Sequence, residues 1–170
     1  MQGGPFSYAL LLALATALVI AAVTDLRRRQ IDNWLTAAIA LTAPLFWLAS
    51  GIGWIGAGLQ LAVALVTFLV LVGIFATGMM GGGDVKLLTA LALWVQPVWF
   101  LKLVVVMAIV GGVLTLVCAL WHFARGKREK IAVPYGIAIS AAGLWVLASQ
   151  HLPTIQSGVQ SGLRSAFQSG

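Results

Sequence analysis

The stretch Phe6–Asn33, FSYALLLALATALVIAAVTDLRRRQIDN, decides the fold. From Phe6 to Thr24 it is almost wholly apolar and long enough to cross a hydrocarbon layer of about 30 Å as a helix. It then turns abruptly charged, through Asp25, Arg27, Arg28, Arg29 and Asp32. A lone strand leaves its backbone groups unpaired in lipid, so a run of this kind reads as a membrane helix that ends at a polar boundary.

The rest of the chain repeats the pattern. The 170 residues are 61% hydrophobic and 8% charged, with a mean hydropathy of +1.04. A soluble domain carries about 25% charged residues, so a water-soluble core is excluded. Apolar segments from about Trp34 to Ala49, Trp54 to Thr77, Asp84 to Gln96, Val98 to Trp121 and Ile131 to Ala148 bring the expected total to about six spans. The fold class is therefore an all-α polytopic membrane protein. Residues 1–149 form one membrane domain, and a polar, flexible tail rich in Ser, Gly and Gln occupies 150–170. The first segment has neither a basic stretch before it nor a small-residue cleavage signature after it, so it reads as a retained span.

Charge sets the expected orientation. In a six-span arrangement Arg27, Arg28, Arg29, Lys86, Arg125, Lys127, Arg128 and Lys130 fall on one side, and only Lys102 and Arg164 on the other. Basic loops stay in the cytosol, so both termini are expected on the non-cytosolic side of the membrane. The net charge of +6 is thus a topology signal, and nucleic acid is not an expected partner. Cys118, the one cysteine, lies inside an apolar run and reads as a small buried hydrophobe. His122, beside Trp121, reads as an interface residue, and no metal or cofactor is expected.

Only four acids occur: Asp25, Asp32, Asp84 and Glu129. An acid at the centre of a membrane helix costs roughly 2.5–3.5 kcal/mol, so acids beside spans are functional suspects. Asp25 closes the first span and Asp84 opens the fourth, in Gly81-Gly82-Gly83-Asp84-Val85-Lys86. Both fall at the same membrane face. Two carboxylates held close share a proton, so one activates water while the other protonates a carbonyl oxygen. Gly81 and Gly83 are expected to let backbone approach closely and to adopt positive φ. The P-loop's Gly-Lys-Ser/Thr is missing, which sets a phosphate cradle aside. Lys86 is placed to influence Asp84 or to meet lipid phosphates, Arg27–Arg29 read as topology determinants, and Asp32 or Asn33 reads as the N-cap of the second span. A transporter using the two acids as a proton or cation relay is the alternative. It requires acids along a pathway through the bilayer, whereas both stand at one boundary.

The motifs together resemble the type IV prepilin peptidase family, membrane aspartic peptidases marked by Gly-x-Gly-Asp. Gly81–Lys86 matches that motif. Asp25 to Thr36 matches a segment with an Asp, a basic stretch and Ile-Pro-Asn, with Asp32 in place of the proline. Val133-Pro134-Tyr135-Gly136 matches the Pro-aromatic-Gly signature that opens the last span. The resemblance covers residues 6–148. It implies catalysis by Asp25 and Asp84, a supporting loop of Gly81, Gly83 and Lys86, and structural or substrate-contacting roles for Asn33, Pro134, Tyr135 and Gly136. The Pro-Tyr-Gly variant is most similar to short members serving Flp, or tight-adherence, pili. The implied substrates are prepilins and pilin-like proteins, each a short basic leader followed by a hydrophobic stem in the bilayer. The paired cysteines of the methyltransferase domain in longer members are missing.

Overall fold

A computed structural model describes the backbone of residues 4–125 and 135–168, and the side chains of residues 4–120 and 135–151. Six helices follow in chain order: α1 (Pro5–Arg28), α2 (Asn33–Ser50), α3 (Trp54–Ala76), α4 (Gly82–Ala92), α5 (Pro97–Arg125) and α6 (Tyr135–Gln168). No strand occurs among the described residues.

Local chemistry explains most of the boundaries. Pro5 opens α1, where its missing N–H has no helical partner to lose. Arg29 closes α1 in the left-handed region at φ 51°, and its N–H donates to the Asp25 carbonyl. Arg27 and Arg28 sit in the last turn, where their charge complements the helix dipole. Gly51, at φ 68°, caps α2, a conformation that costs glycine nothing.

Four of the six described helices, α1, α2, α3 and the Pro97–Leu120 part of α5, are long and apolar enough to cross a membrane. The expected fourth span is different in kind. α4 has only 11 residues, about 16 Å of helix and short of a bilayer core of about 30 Å. After Ala92 the chain tightens, with Leu93 N–H donating to Ala90 and Trp94 N–H to Leu91, before Pro97 starts α5. Its apolar residues face protein rather than lipid: Leu87, Leu88, Leu91 and Ala92 are fully buried. α4 packs on α2, α3, α5 and α6, and so forms the centre of the bundle. By contrast, Leu65, Val66, Leu69 and Val70 of α3 and Val105, Ile109 and Val113 of α5 are exposed, as a lipid-facing surface requires. α6 continues as helix through the polar segment to Gln168.

The helices alternate in direction. The end of α1, the starts of α2 and α4 and the glycine loop between α3 and α4 meet around one cavity. The starts of α1 and α3, the end of α2, Trp94 and Gln96 after α4, and Gln150 and His151 of α6 surround another. The bundle thus has two distinct ends.

Candidate active site

Asp84 is the third residue of α4, behind Gly81 at the N-cap. An acidic side chain at that position folds back toward the N-cap amide. The fold brings it so close that a Cβ on Gly81 would stand 3.0 Å from Asp84 Oδ2. Asp84 lies outside the four apolar spans. Burial, then the neighbouring Asp25 charge, push its carboxyl up from the ordinary 3.8 to about 6, and the Gly81 amide offsets part of this.

Asp25 arrives from the other side, in the last turns of α1, and is only 6% exposed. An acid near a helix C-terminus faces the wrong end of its own dipole. Here the compensation comes from another helix, because the Gly136 and Ile137 amides at the start of α6 approach the carboxylate. Those amides do not hydrogen-bond Oδ2, which is buried without a partner among the described residues. Gly136 makes the approach possible: a Cβ there would meet Asp25 Oδ2 at 2.7 Å.

The two acids share a cavity of about 460 Å³ with Arg29, Gln30, Ile31, Asp32, Asn33 and Gly81–Gly83. Its walls are the α1–α2 loop and the glycine loop before α4. Gly83 fits them together, since a Cβ there would be 3.2 Å from the Ile31 side chain. The expected positive φ is not at Gly81–Gly83; it falls at Gly78, with φ 75°. The triple glycine supplies room, and the chain reverses three residues earlier.

The remaining residues singled out in the sequence sort differently. Asn33 and Lys86 come together, with Lys86 Nζ donating to Asn33 Oδ1 at 2.8 Å, which ties α4 to α2. Lys86 does not contribute to the Asp84 shift. Tyr135 turns to α5, its ring against Gly111 and its hydroxyl 3.4 Å from Thr115 Oγ1, outside the cavity lining. Asp32 takes the N-cap position of α2, but its carboxylate makes no capping bond. Pro134 lies outside the described residues, as do Lys127, Arg128 and Lys130. Sequence reasoning did not single out Ile31 as the packing partner of Gly83, although one apolar residue alone in a charged loop is a signal that it is buried. Among the described residues no group of three or more His, Cys, Asp or Glu side chains is placed to hold a metal ion.

Comparison with known proteins follows this geometry. The model of the type IV leader peptidase family matches residues 12–118, a range that includes Asp25, the glycine loop and Asp84. A prepilin leader peptidase/N-methyltransferase of Xanthomonas campestris pv. campestris is 31% identical over 151 residues, covering 80% of this chain and 48% of that protein. The chain thus spans about half the length of the curated relative it matches. No solved structure matches.

Proposed function

Because this chain belongs to the type IV leader peptidase family, we propose that it is a membrane-embedded aspartic endopeptidase that removes the short basic leader of Flp-type prepilins and pilin-like proteins. The observation that carries this reading is the meeting of Asp25 and Asp84 in one cavity at one end of an apolar bundle. The family establishes the kind of protein; the acid pair supplies the chemistry.

The division of labour follows from the surroundings. We assign the shared proton to Asp84, whose carboxyl is pushed up to about 6 by burial and then by the neighbouring Asp25 charge. Asp25 as carboxylate takes a proton from water while the water oxygen attacks the scissile carbonyl carbon. Asp84 donates its proton to the carbonyl oxygen, and the tetrahedral adduct forms. On collapse the C–N bond breaks, Asp25 returns its proton to the leaving amine, and Asp84 recovers a proton from the hydroxyl of the adduct. No covalent enzyme intermediate and no metal is part of the scheme.

Arg27, Arg28 and Arg29 stand at the acid-lined end, so the positive-inside rule supports a cytosolic position for it in a bacterial inner membrane. The substrate's hydrophobic stem would then lie among the spans with its leader outside lipid. The chain's one cysteine lies within α5, and the proposed activity is leader cleavage without N-methylation.

Cleavage of a co-expressed Flp prepilin in membranes tests the reading, by mobility shift and N-terminal sequencing of the product. Wild type should cleave, Asp25→Asn and Asp84→Asn should not, and Lys102→Gln, a substitution on α5 away from the cavity, should match wild type. Cleavage surviving either aspartate substitution at matched expression overturns the paired-acid mechanism.

A further inference from the structure

We infer that Asp32 reads a cationic side chain of the substrate, and so sets specificity at the site proposed above. Three observations carry this. Asp32 stands at the N-cap of α2, where an aspartate ordinarily accepts a bond from the helix's first amides, yet its carboxylate makes none. Its backbone carbonyl accepts from Leu35 and Thr36 N–H, which are the helix's own first bonds. Among the described residues the fold thus gives this carboxylate no capping role, and it is half-buried in the wall of the cavity that holds Asp25 and Asp84.

The second observation is the charge of that cavity. Three carboxylates, Asp25, Asp32 and Asp84, line it against one guanidinium, Arg29. With one proton shared by Asp25 and Asp84, the lining still carries a net negative charge. The third is that Lys86, the one ammonium on α4, is bonded to the Asn33 amide and not to Asp32. An occupant that brings a positive charge complements the cavity, and a neutral or acidic one does not. The pair Asp25 and Asp84 is required for proton transfer, which leaves Asp32 to receive the cation, through a charge-assisted hydrogen bond from lysine or arginine.

A charge swap tests this on the full chain in membranes. The substrates are a prepilin with its leader lysines and arginines next to the cleavage site, and the same prepilin with those residues replaced by glutamine or by glutamate. Wild type should favour the basic substrate over the glutamine form by about tenfold in kcat/KM, through KM, as one charge-assisted bond gives. Asp32→Asn should lose most of that preference, and Asp32→Lys should favour the glutamate substrate over the basic one. Wild-type preference kept in full by Asp32→Asn, or no inversion by an Asp32→Lys protein that still cleaves, overturns the inference while leaving the peptidase reading intact. If Asp32→Lys cleaves neither substrate, the Asp32→Asn ratio alone decides. If wild type cleaves none of the three, the peptidase reading fails and the inference with it.

Discussion

The two ends of the bundle are built on opposite rules. At one end Asp25, Asp32 and Asp84 face a cavity of about 460 Å³, two glycines stand where a methyl group would collide with a carboxylate, and Asp25 Oδ2 has no hydrogen-bond partner among the described residues. At the other a space of about 110 Å³ is lined by neutral groups such as Ser7, Tyr8, Gln60 and Gln96. There the polar atoms are mostly spent on holding helices together: Trp47 Nε1 donates to the Leu93 carbonyl at 2.8 Å and Trp94 Nε1 to the Ile39 carbonyl at 2.7 Å. Gln60 Oε1 is the exception, buried without a partner among the described residues. A buried polar group left unpaired costs about 1–3 kcal/mol, so it persists where a function uses it or where the surrounding fold carries the cost. One end gathers the acids; the other pins α4 in place.

The sharpest way to separate the ends is to neutralise the acids. Asp84→Asn should lower cleavage by a factor of 10²–10⁴, the usual worth of an acid–base group. Yet it should stabilise the fold at neutral pH. The folded carboxyl titrates near 6 and the ordinary value is 3.8, so the folded state holds the proton more tightly. Wild-type stability is then fullest below about 3.8 and falls as pH rises through about 6, where the buried group must ionise. Asparagine avoids that cost. Discounted for the solvent an open cavity admits, the gain is of order 1 kcal/mol above pH 7, and it disappears near pH 4. Thermal unfolding in detergent at both pH values checks the sign. A variant less stable than wild type at pH 8 would make the acid end an ordinary part of the scaffold.

Glycine substitutions come next. Gly136→Ala drives a Cβ to 2.7 Å from Asp25 Oδ2, whereas Gly112 has nothing within 4 Å of its would-be Cβ. Displacing a reacting group by about 1 Å costs roughly 10²-fold in rate. Gly136→Ala should therefore lower kcat about a hundredfold, with Gly112→Ala near wild type. Equal activities would show that the carboxylate has room the structure does not give it.

These glycines mark how far the sequence was readable. The helices, the charged loop after α1 and the placement of both acids at one end all follow from hydropathy and from where charges interrupt it. That α4 is a buried core helix does not follow, because Leu87, Leu88 and Leu91 look the same in sequence whether lipid or protein covers them. Nor does the role of Gly136. Its partner lies 111 positions away in the numbering, on a different helix, and nothing local to it signals a carboxylate. The Lys86–Asn33 bond was hidden for the same reason. Gly81–Gly83 were recognisable as a loop beside an acid, but why they are glycine was not, since positive φ and close approach leave the same letters in a sequence.

The pH profile is a finer probe of the acid end. kcat/KM reports the free enzyme, so it should fall as pH rises through about 6, by up to tenfold per unit, as Asp84 loses the proton it donates. kcat reports the occupied site. A substrate covering the cavity excludes water and raises Asp84 further, so the descending limb of kcat should lie at higher pH. A kcat/KM flat from pH 5 to 8 would remove Asp84 as the proton donor.

The smallest expected effect lies at the opposite end, and it is purely structural. Leu93 caps α4 beyond its last residue, so its carbonyl faces the helix end with no following turn to bond it. The Trp47 indole N–H supplies the missing donor across from α2. Trp47→Phe keeps an aromatic ring and removes only that donor, leaving a part-buried acceptor unpaired at about 1 kcal/mol. Unfolding in detergent should register the loss at every pH. At matched folded protein kcat/KM should stay close to wild type, because α4 is also held by Trp94 and by its buried leucines. If activity fell in proportion to stability, the two ends would be one coupled unit, with the position of Asp84 set by how its helix is tied at the far side.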